Sequence, residues 1–127
     1  MDKMKVLAVD DRTEDLEVIK EILELSGFEV IALQSGSKAL NILPDKFDAV
    51  LLDIQMPLSS GYELIKKVRV KTRNRIPVLF VSIIPKQEAN LEGSDDYIEK
   101  PFSPKELVNA VNKAILKYKR IDKPVGG

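Results

Sequence analysis

Apolar and polar residues follow two rhythms along the chain. Lys5-Val6-Leu7-Ala8-Val9, Phe28 to Ala32, Ala49 to Leu52, Pro77 to Ser82 and the short Tyr97-Ile98 are nearly continuous apolar runs. Between them, apolar residues recur at helical spacing. Thr13 to Ser26 carries Leu16, Ile19, Ile22 and Leu23 on one face, and Gly27 stands where a helix stop is expected. Ser37 to Leu43 reads as a short helix ended by Pro44. Gly61 to Arg73 sets Leu64, Ile65 and Val68 against a basic face. Ser103-Pro104-Lys105-Glu106 is a helix start, with a capping serine, a proline at the first helical position and a glutamate three residues after the cap. Leu107, Val108, Val111, Ile115 and Tyr118 then form one stripe.

Continuous apolar strands separated by helices predict a parallel sheet covered on both faces, built from five β–α units. The stretch from Ile83 to Glu92 is the weak one. A helix over Lys86 to Glu92 would be only about 10 Å long and marginal without packing support. Residues 1–118 read as one domain. The polar tail from Lys119 to Gly127 reads as frayed chain or a linker stub.

The strand ends carry the chemistry. The first strand ends in Asp10-Asp11, the third in Asp53, the fourth in Ser82, and the fifth runs into Lys100-Pro101. Taken singly, each has a plain explanation as a turn, a cap or a surface lysine. In an open α/β sheet, however, all these ends lie at the carboxyl edge, where ligands bind beside the reversal of strand order. Three carboxylates brought together repel each other, and a divalent cation relieves that repulsion. A lysine and a hydroxyl beside them suit an anion held on the metal. A phosphoryl group satisfies both demands, with an aspartate as its nucleophile.

Composition narrows this picture. The chain of 127 residues has no cysteine and no histidine. Thiolate and imidazole metal sites, histidine-based triads and a phosphohistidine on this chain are all excluded. Any metal must sit on oxygen ligands, which favours hard cations such as Mg²⁺. Net charge is zero but unevenly spread, with seven excess negative charges in residues 1–64 and seven excess positive in 65–127. Solvated helix faces account for that division, and no nucleic-acid reading motif accompanies it. No apolar run approaches a membrane span, and a cytoplasmic setting is expected.

VLAVDD at 6–11, LLDIQMPLSSG at 51–61, PVLFVS at 77–82 and GSDDYIEKPFSP at 93–104 together resemble the receiver domains of two-component response regulators. The spacing of Asp53, Pro57 and Gly61 matches that family's DxxxPxxxG pattern, and the resemblance spans about residues 3–118. It implies a flavodoxin-like (βα)5 three-layer sandwich with strand order 2-1-3-4-5. It implies Asp53 as phospho-acceptor. Mg²⁺, or Mn²⁺ in its place, would lie on Asp10, Asp11, Asp53 and the backbone carbonyl of Gln55. Lys100 would pair with the phosphoryl group before a cis Pro101. Ser82 would be the hydroxyl that moves to the phosphoryl oxygens, and Tyr97 the aromatic residue that turns inward with it. The donor would be a sensor histidine kinase or a histidine phosphotransfer protein. The output would pass to a downstream protein or output domain, with no direct contact to nucleic acid or membrane.

Two positions depart from the family pattern. Ile83 follows Ser82 where a small residue is usual, which predicts restricted access to Asp53. The segment from Ser82 to Gly93 is about one helical turn short, so the family's fourth helix is expected to be truncated or partly disordered. Other functions fit less well. A Mg²⁺-dependent phosphohydrolase with an aspartyl nucleophile usually places a second carboxylate two residues on, where this chain has Gln55. A flavodoxin-like cofactor binder would meet repulsion between its phosphate and Asp10-Asp11. A degenerate receiver that only dimerises would have no use for the five retained site residues. The chain thus reads as a signalling domain rather than an enzyme.

Overall fold

The computed structural model describes residues 3–43, 46–56 and 60–122. Five parallel strands, β1 (Lys5–Val9), β2 (Glu29–Leu33), β3 (Ala49–Leu52), β4 (Val78–Ser82) and β5 (Asp96–Glu99), form one sheet in the order β2-β1-β3-β4-β5. Among the described residues, four α-helices accompany them: α1 (Thr13–Leu25), α2 (Gly36–Ile42), α3 (Gly61–Thr72) and α4 (Pro104–Asp122).

The strands explain their own burial. Successive side chains point to opposite faces, so each strand divides its apolar residues between two cores. Val6, Ala8, Ala49, Leu51, Leu79 and Val81 pack with Leu16, Ile19 and Leu23 of α1 and with Leu107, Val111 and Ile115 of α4. Leu7, Val9, Val50, Leu52, Val78 and Phe80 pack with Ala39 of α2 and with Leu64, Ile65 and Val68 of α3. This is the expected three-layer arrangement. The apolar stripes marked out on α1, α3 and α4 are the faces these helices bury.

Local capping sets the helix ends. The Ser35 side chain accepts from the Lys38 amide, the Ser60 side chain from Glu63 and the Ser103 side chain from Glu106. α2 therefore begins one residue earlier than its apolar pattern indicates. Its expected stop, Pro44, lies outside the described residues, as does Pro57 of the DxxxPxxxG spacing. The α3 C-terminus closes with Arg73 and Asn74, both in the left-handed region.

Between β4 and β5 there is no α-helix, only a 3-10 turn over Lys86–Glu88. The short, polar segment cannot bury a helical face, in keeping with its expected truncation. Edge-to-face stacking of Tyr62 on Phe80 and of Phe80 on Tyr97 covers this part of the sheet, and Ile84 and Ala89 pack against the same core. One expectation is corrected. The helix α4 does not stop at Tyr118 but runs to Asp122, because Lys, Arg and Ile continue a helix readily. Residues 123–127 of the expected tail lie outside the described residues.

Candidate functional site

The strand order reverses between β1 and β3, since the chain runs from β1 outward to β2 and then crosses back. The backbone ladders continue one residue past the strand ends and hold the residues there in place. The Asp10 amide donates to Leu33 O (3.1 Å), the Asp53 amide to Val9 O (3.0 Å) and the Lys100 amide to Ser82 O (2.8 Å). The side chains of Asp10, Asp53, Ser82 and Lys100 therefore stand on sheet hydrogen bonds rather than on loose loops.

Among the described residues, Asp10, Asp53 and Ser82 are the polar side chains that are fully buried, at 1%, 5% and 0% exposure. Burying carboxylates is costly unless they are paired. Lys100 supplies the pairing. Its ammonium donates to Asp10 Oδ2 at 2.7 Å, to Asp15 Oδ2 at 2.7 Å and to Asp53 Oδ2 at 3.3 Å. The other oxygen of each strand-end aspartate is held by backbone, Asp10 Oδ1 by the Arg12 amide (2.9 Å) and Asp53 Oδ1 by the Gln55 amide (3.2 Å).

One lysine does not neutralise this cluster. Asp11 is half-buried beside it, and Asp10, Asp11 and Asp53 each offer an oxygen within 4.8 Å of the others. Burial and the neighbouring Asp10 charge raise the Asp53 pKa above the usual carboxylate range, against the opposing pull of Lys100 and the Gln55 amide. Burial works against the Lys100 ammonium, but hydrogen bonds to Asp10 and Asp15 and the charge of Asp53 outweigh it, so its pKa is raised too. An all-oxygen donor set with excess negative charge fits a hard divalent cation.

A cleft of about 430 Å³ opens over this cluster, lined by Asp11, Arg12, Asp53, Gln55, Ile83 and Lys100. Ile83 stands at the mouth, 55% exposed. Behind the cleft, one residue links the hydroxyl to the aromatic ring. The Ile84 amide donates to Ser82 Oγ (3.3 Å), and the Ile84 carbonyl accepts from the Tyr97 hydroxyl (2.6 Å). Tyr97 is turned inward, and its burial is the main influence that pushes the phenol pKa up. The Lys100–Pro101 peptide is cis.

Gly61 keeps the Asp53 turn compact. Its amide donates to Ile54 O at 2.8 Å. A Cβ there would lie 2.4 Å from Asp53 O and 2.7 Å from Ile54 Cα, so the position admits only glycine without a shift of backbone.

Asp10, Asp11, Asp53, Gln55, Ser82, Ile83, Lys100 and Pro101 thus lie at the carboxyl edge, while Tyr97 lies within β5 and connects to Ser82 through Ile84. Residues 6–112 match the response regulator receiver domain family. The chain belongs to that family. The response regulator SaeR of Staphylococcus aureus is 31% identical over 121 residues, covering 91% of this chain and 52% of that protein. The chain therefore spans about half the length of the curated relatives it matches. A receiver domain protein from Clostridium thermocellum has the same fold, with a TM-score of 0.84 and 28% identity over 93% of this chain and 98% of that one. TrrA of Thermotoga maritima, solved in complex with Mg(2+)-BeF, has a TM-score of 0.79 and 29% identity over 87% of this chain and 98% of that one. No helix among the described residues is long and apolar enough to cross a membrane.

Two features of the receiver escaped the sequence. Asp15 is an acidic residue in the first turn of α1, a place where carboxylates commonly complement the helix dipole, and that role hid its contact with Lys100. Arg69 looked like part of a solvated basic face. Instead its guanidinium bonds Gly93 O, Ile76 O, the Tyr118 hydroxyl and Asp95, the last at 2.6 Å.

Proposed function

We propose that this receiver is a phosphorylation-controlled switch whose acceptor is Asp53. A carboxylate oxygen of Asp53 would attack the phosphorus of a phosphohistidine on a sensor histidine kinase or histidine phosphotransfer protein. An O–P bond forms, the P–N bond breaks, and its electron pair leaves on the imidazole. Asp10, Asp11, Asp53 and the Gln55 carbonyl are the residues that would hold Mg²⁺, or Mn²⁺ in its place. A cation held there would neutralise charge developing on the phosphoryl oxygens.

The observation that carries this reading is the convergence of the three buried polar side chains, Asp10, Asp53 and Ser82, with Lys100 at one strand edge. Lys100 would meet one phosphoryl oxygen and Ser82 another. Movement of the Ser82 hydroxyl would release the Ile84 amide, and the Ile84 carbonyl is the acceptor for Tyr97. The added charge on Asp53 would thereby reach the segment between β4 and β5 and shift a two-state equilibrium there. The readout passes to a downstream protein or output domain. Gln55 in place of a second carboxylate disfavours a phosphohydrolase, and the assembled site disfavours a phosphorylation-independent receiver.

Incubation with Mg²⁺ and a small acyl phosphate or a phosphohistidine donor, followed by intact mass, tests the proposal. One added phosphoryl group is expected, absent in Asp53→Asn and absent without the metal. No uptake from either donor would overturn it.

A further inference from the structure

An ammonium has three N–H donors, and Lys100 spends all three on carboxylates. Two of these bonds are 2.7 Å, to Asp10 and Asp15, and the third, to Asp53, is 3.3 Å. Asp15 differs from the other two partners. It stands on α1 rather than at a strand end, and it lies outside the group of Asp10, Asp11 and Asp53 whose oxygens converge. A cation bound by that group draws charge from Asp10 and Asp53 but leaves Asp15 free to hold the lysine. Arg12, the other cation near Asp15, is 3.8 Å away and largely exposed, so it competes weakly.

We propose that Asp15 is a positioning residue for Lys100. It anchors the ammonium from the α1 side, so that only the longest of the three bonds, the one to Asp53, is exchanged for a phosphoryl oxygen. The lysine then meets the incoming group without a search through rotamers, and its stem stays in place when the metal engages the aspartates. This inference rests on the reading of Asp53 as phospho-acceptor.

Two simpler roles for Asp15 make different predictions. As a helix-dipole partner it would be equivalent to Glu14, which shares the first turn of α1. As a source of negative field it would repel an anionic donor, and removing it would speed uptake. The test measures phosphoryl uptake from a small acyl phosphate with Mg²⁺ by intact mass, over a range of donor concentrations. The full chain is compared with Asp15→Asn, Asp15→Glu and Glu14→Gln, with the thermal midpoint of each recorded. Losing a charged hydrogen bond of a partly exposed group gives an expected drop in maximal rate of about three- to tenfold in Asp15→Asn. The half-saturating donor concentration should hold, Asp15→Glu should recover part of the rate, and Glu14→Gln should match the parent. A parent-like or faster rate in folded Asp15→Asn, or an equal drop in Glu14→Gln, overturns the inference and leaves the Asp53 reading standing. No uptake by the parent chain overturns both.

Discussion

The receiver carries two charged clusters at opposite ends of its sheet, and they are built on opposite terms. At the amino edge, Asp95 accepts from the Val78 amide, the Tyr118 hydroxyl and Arg69, while Arg69 also bonds two backbone carbonyls. One anion meets one cation, with both side chains at 15% exposure or less. This cluster ties α3, the start of β4, the approach to β5 and α4 together. At the carboxyl edge, three carboxylates, Asp10, Asp15 and Asp53, share one lysine, and Asp11 adds a further negative charge beside Asp10 and Asp53. The first cluster is satisfied and holds the fold. The second retains excess negative charge, which suits it to a hard cation. A charge-balanced network rigidifies, whereas one left with excess charge marks a candidate functional site.

Removing the proposed acceptor carboxylate should separate the two most sharply. Asp53→Asn is expected to abolish phosphoryl uptake by intact mass. The same variant should melt a few degrees higher in the absence of metal, about 1 kcal/mol, because it relieves like-charge repulsion in a buried site. Next in size is the amino-edge lock. Asp95→Asn leaves Arg69 without its counter-ion and is expected to cost about 2–4 kcal/mol by denaturant unfolding, while the folded fraction still takes up phosphoryl groups. Equal loss of uptake in Asp95→Asn would break the division between the clusters.

Gly61→Ala tests whether the reactive cluster depends on backbone placement. The added Cβ must displace the turn that carries Asp53, so uptake should fall at least about tenfold, with about 1–3 kcal/mol of stability lost. The pH dependence is a smaller effect. Asp53 has a pKa raised above its unfolded value, so the folded chain holds that proton more tightly than the unfolded one. Its contribution to stability is therefore present in acid and is lost as pH rises through the raised pKa. Thermal melts of metal-free protein compared with Asp53→Asn should show this difference, and Mg²⁺ should reverse it. The smallest expected effect concerns Ile83. Its exposed side chain at the cleft mouth should slow the entry of water, so Ile83→Ala is expected to shorten the lifetime of phospho-Asp53 by about twofold, on the order of 0.4 kcal/mol. An unchanged or longer lifetime would show that Ile83 does not guard the cleft. Amide exchange over residues 84–92 should be fast in every variant, because few backbone bonds protect that segment.

Much of this was legible in the residues. The strands were visible because parallel strands buried on both faces are continuous apolar runs. The carboxyl-edge positions Asp10, Asp53, Ser82 and Lys100 were visible because each interrupts or ends such a run. The weak stretch after Ser82 announced a missing helix by having too few apolar residues to bury one. Asp15 and Arg69 were not legible, since each has an ordinary local explanation as a dipole partner or a solvated basic residue. Asp95 gave no sign beyond its place before a strand, and Tyr118 read only as part of an apolar stripe.

Sequence by itself determined which faces are buried, how strands and helices alternate, and that the polar strand ends share one edge. Those are consequences of periodicity, and periodicity is local. The tertiary structure alone decided which charges meet across the chain. Lys100 reaches Asp15 over 85 positions of sequence and Asp95 reaches Arg69 over 26. Such pairings depend on how helices dock on the sheet, and no short-range pattern encodes that distance.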